Sequence, residues 1–408
     1  MTTARRSWRV ARTGVMSCVR VKSRFLAALW CMACSSQSLG GAGHVGLAGK
    51  SRAPEACAAH ASEIRQAVLD VTTRQHNVGL SVAISRYGQI VFSEGFGFAD
   101  LEDSVRVSPQ TRFAIASVTK AFTGIALLKA VERGQIDLDT PIQRYVPSFP
   151  RKPGPDITAR LLAAHLGGIR HWKDERSPAL YARHFDDVQD ILSLFAEDSL
   201  VAPAGSGYHY SSYGYDLLGI AIQTTAGRRF QDAVSADLIS GLGLTHTQFD
   251  DPRRIIPLRS RHYSFYDPTT SAELAELMRV PDWDYSYNMA AGNMISTTED
   301  LVRFGDAVSH PGLLSAQSLA LLYRRPQIDT VQSSMSFGWF VSPPDTLPLR
   351  IHINGANAGI QAGLYVYPES RLVIALASNT WGRGSRSGEL TGTRPLDLPS
   401  RIAQACGQ

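Results

Sequence analysis

Between positions 58 and 75 the apolar residues Ile64, Val68 and Val71 recur at helical spacing, which predicts a first helix. Two strand-like runs follow, Gly79–Ser85 and Gln89–Ser93, on either side of Arg86-Tyr87-Gly88, a hairpin signal. From Ser117 to about Arg133 the pattern is a long apolar helix, stopped by Gly134. The middle, roughly 135–325, carries helical stretches broken by loops: Ile157–Leu166, Asp186–Phe195, Tyr213–Thr225, Phe230–Ile239, Thr298–Val308 and Ala316–Tyr323. Strand patterns return at Phe337–Val341, Leu349–Ile353, Ala362–Tyr367 and Leu372–Ala377, before a short amphipathic helix, Leu398–Cys406.

Strands near both ends with helices between them predict an α/β (α+β) fold. One antiparallel sheet is built from both chain ends with flanking helices, and a helical lobe comes from the middle. Two N-terminal strands alone make no stable sheet, which weighs against two domains cut near 330. A groove between sheet and lobe is the expected place for a site. Nothing repeats at a fixed period, so solenoids and propellers are set aside.

Composition changes this picture at the N-terminal end. With 408 residues, 44% of them hydrophobic, the chain can bury a large core. The formal charge of +5 is uneven: residues 1–54 hold seven Arg and two Lys and no acid before Glu55. Without those nine, 32 basic residues face 36 acidic ones, and no basic patch argues for nucleic acid. Residues 1–54 read as a targeting leader, cleaved or disordered, with 55–408 as a single catalytic domain. The apolar run Phe25–Cys34 suits a signal-peptide core but falls short of the ~20 residues that span a bilayer. Export to a periplasmic or extracellular space is expected, with membrane contact only through the leader or a lipid on Cys34. The same Arg-rich, acid-free composition also suits a mitochondrial presequence, and Met16 offers a second start. Of five cysteines, at 18, 31, 34, 57 and 406, the last two bracket the body and are candidates for a disulfide in an oxidising compartment.

Candidate chemistry begins at Ser117-Val118-Thr119-Lys120, the start of the central helix. Residues i and i+3 share a helical face, so hydroxyl and amine lie within reach. The helix N-terminus adds free N–H groups and a positive end that favour an oxyanion. Among Val118, Ala121 and Phe122 the ammonium form of the lysine is disfavoured, which makes it a base. The chain has 35 Arg and only six Lys, and a guanidinium could not serve, because it cannot lose its proton. A plainer reading, a serine N-cap with a snorkelling lysine, suits any helix.

A second segment, Pro203–Gly219, contains Tyr210-Ser211-Ser212. With this pair of motifs the chain resembles the serine β-lactamase and D-Ala-D-Ala peptidase superfamily. That pattern is Ser-x-x-Lys, then Tyr-x-Asn or Ser-x-Asn, then Lys-Thr-Gly or His-x-Gly. The likeness is to its tyrosine-containing branch of class C β-lactamases, family VIII esterases and related peptidases. The segments Tyr145–Pro150, Leu161–His171, Tyr210–Leu218, Ala290–Thr297 and Phe337–Trp339 resemble the mitochondrial serine β-lactamase-like proteins and their bacterial relatives. The resemblance covers about residues 60–380.

The resemblance implies that Tyr210 sits beside Ser117 and Lys120 and relays a proton, with its pKa lowered by the lysine. It puts Ser212 where the family has a substrate-binding Asn. The third motif falls on Ile353-Asn354-Gly355, followed by Ala356, with His352 one residue early and expected to point away from the groove. Asn354, Gly355 and Ala356 are then substrate-binding, and the oxyanion hole uses the amides of Ser117 and Ala356. The missing cation counts against penicillin and D-Ala-D-Ala recognition. His165 and His171 are expected to be structural, His209 to face away, and Asp186-Asp187 and Asp250-Asp251 to be solvated turn or cap carboxylates. The reading is a serine hydrolase forming an acyl-enzyme on an ester or amide bond of a small molecule or peptide, with no cofactor and no metal. The rival from another class is a catalytically weak binding or scaffold protein of the same fold. Oligomeric state is not legible in the sequence.

Overall fold

Three long neighbouring strands are buried at every position: β1 (Gly79–Arg86), β7 (Ile360–Tyr367) and β8 (Leu372–Ser378). They read as continuous apolar runs because both faces of their sheet are covered. The computed structural model describes residues 57–172, 178–343, 348–384, 390–391 and 397–408, so the predicted leader lies outside the described residues. The described residues all belong to one unit, 48–408. With β2 (Gln89–Asp100), β3 (Val105–Arg106), β4 (Met335–Ser336), β5 (Trp339–Val341) and β6 (Ile351–Asn357), the sheet runs β4-β5-β6-β7-β8-β1-β2-β3. Every pairing in it is antiparallel, and β1 meets β8 from Leu80↔Ser378 to Arg86↔Leu372. Both chain ends therefore build one sheet, as the pattern predicted.

Alternation along these strands divides the core in two. Leu80, Val82, Ile84, Ile374 and Leu376 face α1 (Ala61–Gln75) and α5 (Leu398–Ala405). Cys57 and Cys406, buried at the edges of these helices, form a disulfide with their Cα atoms 4.4 Å apart. On the other face Ala83, Val373, Ala375, Leu364 and Ile353 join the larger core of the lobe. There α4 (Thr298–Ser309) lies across β8, β1 and β7. The central helix, α2 (Thr119–Glu132), is buried on all sides from Thr119 to Leu128, and its Phe122 stacks at 3.8 Å on Phe304 of α4. Next to α2 runs α3 (Ser212–Ala226).

The lobe departs from the helical pattern in places. The stretch predicted as helix over 157–166 keeps only Ala159–Ala163, because the chain turns at His165, whose φ is +56°. Asp186–Phe195 winds as a 3-10 helix, Val188–Leu194. The lobe also holds a β-hairpin, Tyr263–Tyr266 with Glu273–Arg279, whose first strand pairs in parallel with Thr380–Trp381. Its second strand, Glu-Leu-Ala-Glu-Leu-Met-Arg, is made of helix formers, and pairing with Tyr263–Tyr266 overrides that propensity. No helix among the described residues is long and apolar enough to cross a membrane.

Candidate active site

Ser117 owes its position to a kink. Phe113–Ala114 pairs with Met294–Ser296, and the Ile115 amide donates to Met294 O at 3.0 Å. Ala116 then takes φ +42°, a left-handed conformation that costs about 1–3 kcal/mol in a residue with a Cβ. A 3-10 turn, Ala116–Val118, carries Ser117 before α2 begins at Thr119, so the serine precedes the α-helix proper. The result sets Ser117, half-buried, at the wall of a groove of about 700 Å³.

Lys120 is completely buried, and its Nζ donates to Ser117 Oγ at 3.2 Å, Ser212 Oγ at 3.1 Å and Ala291 O at 2.8 Å. Burial lowers its pKa to about 7, against a raising influence from the charge of Asp216. The Tyr210 hydroxyl donates to the same Ser117 oxygen at 2.9 Å, and Nζ lies 4.9 Å from the tyrosine ring centre. Burial pushes Tyr210 up to about 12, so it stays a phenol. The resemblance implied a lowered tyrosine pKa; desolvation reverses that, and the lysine meets the ring face, not the hydroxyl.

Histidines fix the strand of loop that brings Tyr210 here. His165 Nδ1 accepts from the Ser211 amide at 3.0 Å, and His171 Nδ1 accepts from the Ser212 amide at 3.2 Å. Burial holds His165 well below its usual pKa, aided by the charges of Lys120 and His171, so a neutral ring accepts this bond. Ser211 caps α3, accepting from the Gly214 amide at 2.9 Å and donating to Arg170 O at 2.8 Å.

Strand β6 forms the opposite wall. Gly355 packs so closely that a Cβ there would run into the Ile115 carbonyl and lie 3.0 Å from the Ser117 amide nitrogen. Asn354 and Ala356 line the groove, and Tyr365 donates to Asn354 Oδ1 at 2.6 Å. Ile353, which the resemblance set at the position of the family's cation, turns into the core. His352 lies outside the groove lining, sandwiched between Phe340 and Tyr365 at 5.3 and 5.6 Å. The remaining walls are Trp172, Phe340, Trp381 and the tip of the hairpin, with Tyr266, Asp267 and Pro268.

A family model described as Beta-lactamase matches residues 61–394. The chain belongs to that family. It is 29% identical over 296 residues to the human (Homo sapiens) "Serine beta-lactamase-like protein LACTB, mitochondrial", covering 56% of this chain and 53% of that protein. To "Protein flp" of Staphylococcus aureus (strain N315) it is 29% identical over 230 residues, 55% of this chain and 44% of that one. It thus spans about half the length of these relatives. The solved D-amino acid amidase of Ochrobactrum anthropi SV3 shares the fold, with a TM-score of 0.71 at 22% identity over 85% of this chain and 99% of that one.

Set in this β-lactamase fold, Ser117, Lys120 and Tyr210 come together, and Asn354 and Ala356 face them across the groove. Ser212, expected to meet substrate, does not line the groove: as the first residue of α3 it turns inward and its hydroxyl accepts from Lys120. Gly355 likewise packs against backbone instead of lining the groove. His171 is more than a support, since it also lines the groove. Asp250, expected in solvent, is buried against Arg259 at 2.8 Å, and burial lifts it to about 6. Two features escaped the sequence reading. The hairpin tip was legible as Tyr266-Asp267-Pro268, a turn signal after an alternating run. Asp216 was legible as a lone acid in the apolar stretch Tyr213–Ile222.

Proposed function

We propose that this chain is a serine hydrolase that forms an acyl-enzyme at Ser117 on an ester or amide substrate. The observation that carries the reading is the convergence of Lys120 Nζ and the Tyr210 hydroxyl on Ser117 Oγ at an open groove. Neutral Lys120 takes the Oγ proton as Oγ adds to the carbonyl carbon. The amides of Ser117 and Ala356 receive the oxyanion. The adduct collapses, and the alcohol or amine leaves with the proton held by Lys120. Tyr210, a lasting donor, steadies Oγ throughout. Water then gives a proton to Lys120 and adds to the acyl carbon; Oγ departs and takes that proton back.

The lining supports a neutral, largely apolar acyl group. Trp172, Tyr266, Phe340 and Trp381 supply apolar surface, and the described lining residues include Asp267 but no lysine or arginine. With Ile353 in place of a cation, the described lining residues offer a substrate carboxylate no lysine or arginine partner. We further propose export to an oxidising compartment, which the leader composition and the Cys57–Cys406 bridge support. Mitochondrial import is the other destination that the leader composition supports.

A fluorophosphonate probe tests the reading. Wild type is expected to label and Ser117→Ala not, with a labelling rate that rises with pH through about 7 as Lys120 becomes neutral. Absence of labelling in both proteins would leave the fold as a binding or scaffold protein. A labelled penicillin is expected to leave Ser117 unmodified; its acylation would overturn the preference for substrates without a carboxylate.

A further inference from the structure

Asp216 lies wholly inside the lobe, one helical turn after Ser212 on α3, and reaches neither Ser117 nor the groove lining. Its Oδ1 accepts from the Ala290 amide at 2.9 Å, and its Oδ2 has no partner among the described residues. A carboxyl held this way is costly unless a charge answers it. The answering charge is Lys120, and two couplings join them.

The first runs through backbone. Asp216 holds the amide of Ala290; the next residue, Ala291, offers the carbonyl that holds Lys120 Nζ at 2.8 Å. Thr123 of α2 clamps the same segment, donating to Ala290 O at 2.6 Å. The second coupling is electrostatic. No hydrogen bond or ion pair joins the two side chains among the described residues; the charge of Asp216 raises Lys120 and the charge of Lys120 lowers Asp216, both being completely buried. Other titratable groups face Lys120 from each packed element: Tyr210 and Tyr215 with ring centres at 4.9 and 5.8 Å, and His165 from the turn after Ala159–Ala163. Burial keeps both phenols protonated and the imidazole neutral. The segment Met289–Gly292 contributes backbone alone. Burial pushes Asp216 up to about 8, against the Ala290 hydrogen bond and the charge of Lys120, so among these groups it is the one that trades a proton in the same range as the amine and sets a negative charge against it when ionised.

We propose that Asp216 is the positioning residue of the Lys120 base: it anchors the Ala290–Ala291 backbone that holds Nζ, and its charge governs how readily Nζ takes and gives a proton. This rests on the reading of Lys120 as the base of an acyl-enzyme hydrolase. The sign follows from the charges. A carboxylate favours the ammonium and burial opposes it, so removing the carboxylate lets Nζ lose its proton at lower pH.

The chain has only six lysines, so protein labelled with 13C at lysine Cε gives a simple NMR titration, with Lys120 assigned by its loss in Lys120→Arg. In Asp216→Asn the amide oxygen still accepts from Ala290 while the charge is gone. Its Lys120 midpoint is expected about one pH unit or more below wild type, and the acid limb of fluorophosphonate labelling is expected to move with it. A midpoint that stays put or rises in a folded Asp216→Asn protein overturns the proposal. Asp216→Ala loses anchor and charge together, so its plateau labelling rate is expected about tenfold or more below that of Asp216→Asn. Equal plateaus would remove the anchoring role. A shifted NMR midpoint with no labelling in any variant would instead sink the hydrolase reading, and the catalytic use of Asp216 with it, leaving the charge coupling itself in place.

Discussion

Two donors meet at the Ser117 oxygen, and burial gives them opposite abilities. It disfavours charge on both, which lowers the ammonium of Lys120 to about 7 and raises the phenol of Tyr210 to about 12. One residue becomes able to take a proton near neutral pH; the other keeps its own. Tyr210→Phe removes a donor to Oγ and leaves Lys120 in place. Its fluorophosphonate labelling rate is expected to fall about 100-fold, with the midpoint of the pH profile still near 7. A midpoint that moved by a full unit would make Tyr210 the titrating group. The pair Ser117 and Lys120 was legible at this scale because their spacing is local. Asp216 stood out only as a lone acid in an apolar stretch, since nothing in a helix sequence says which neighbour that acid will meet.

Among elements, the close approach of β5 to α2 decides whether Lys120 is shaped correctly. Phe337 and Gly338, just before β5, press against the start of α2, and both have positive φ, +46° and +87°. A Cβ on Gly338 would strike the Lys120 carbonyl, and one on Gly124 would strike the Phe337 carbonyl. Gly338→Ala therefore combines backbone strain with a collision against rigid main chain. A loss of about 2 kcal/mol or more in urea unfolding is expected, with slower labelling of Ser117. Unchanged stability would show that the turn can retreat from the helix. The same scale explains the misread pieces of the lobe. The sequence of Glu273–Arg279 favours helix, but Tyr263–Tyr266, held on its other side by Thr380–Trp381, supplies an edge for it to join, and strand pairing wins over local propensity.

For the whole molecule the sheet acts as a partition. Ser117 stands on the side of the large lobe core, whereas Cys57–Cys406 lies among α1, α5 and the opposite sheet face. The bridge closes a loop of 349 residues, which restricts the unfolded chain far more than the folded one. Reduction, or Cys57→Ser, is expected to lower unfolding stability by about 2–4 kcal/mol while leaving the Ser117 labelling rate unchanged. A parallel loss of labelling would mean that the two sides are coupled through the sheet.

The sheet built from both ends, the central helix and the Ser117–Lys120 pair could be read from the residues alone, because each rests on local periodicity or a three-residue step. Family pattern added Tyr210, ninety-three residues away in the chain from its partner. It took the tertiary structure to show that Ser212 meets the lysine, that Gly355 braces Ser117, that the hairpin tip lines the groove, and that Asp216 holds the Ala290 amide beside the carbonyl that Lys120 meets. Each of these depends on which distant surfaces meet. Burial, which sets the proton affinities of Lys120, Tyr210 and Asp216, exists only once those surfaces have met.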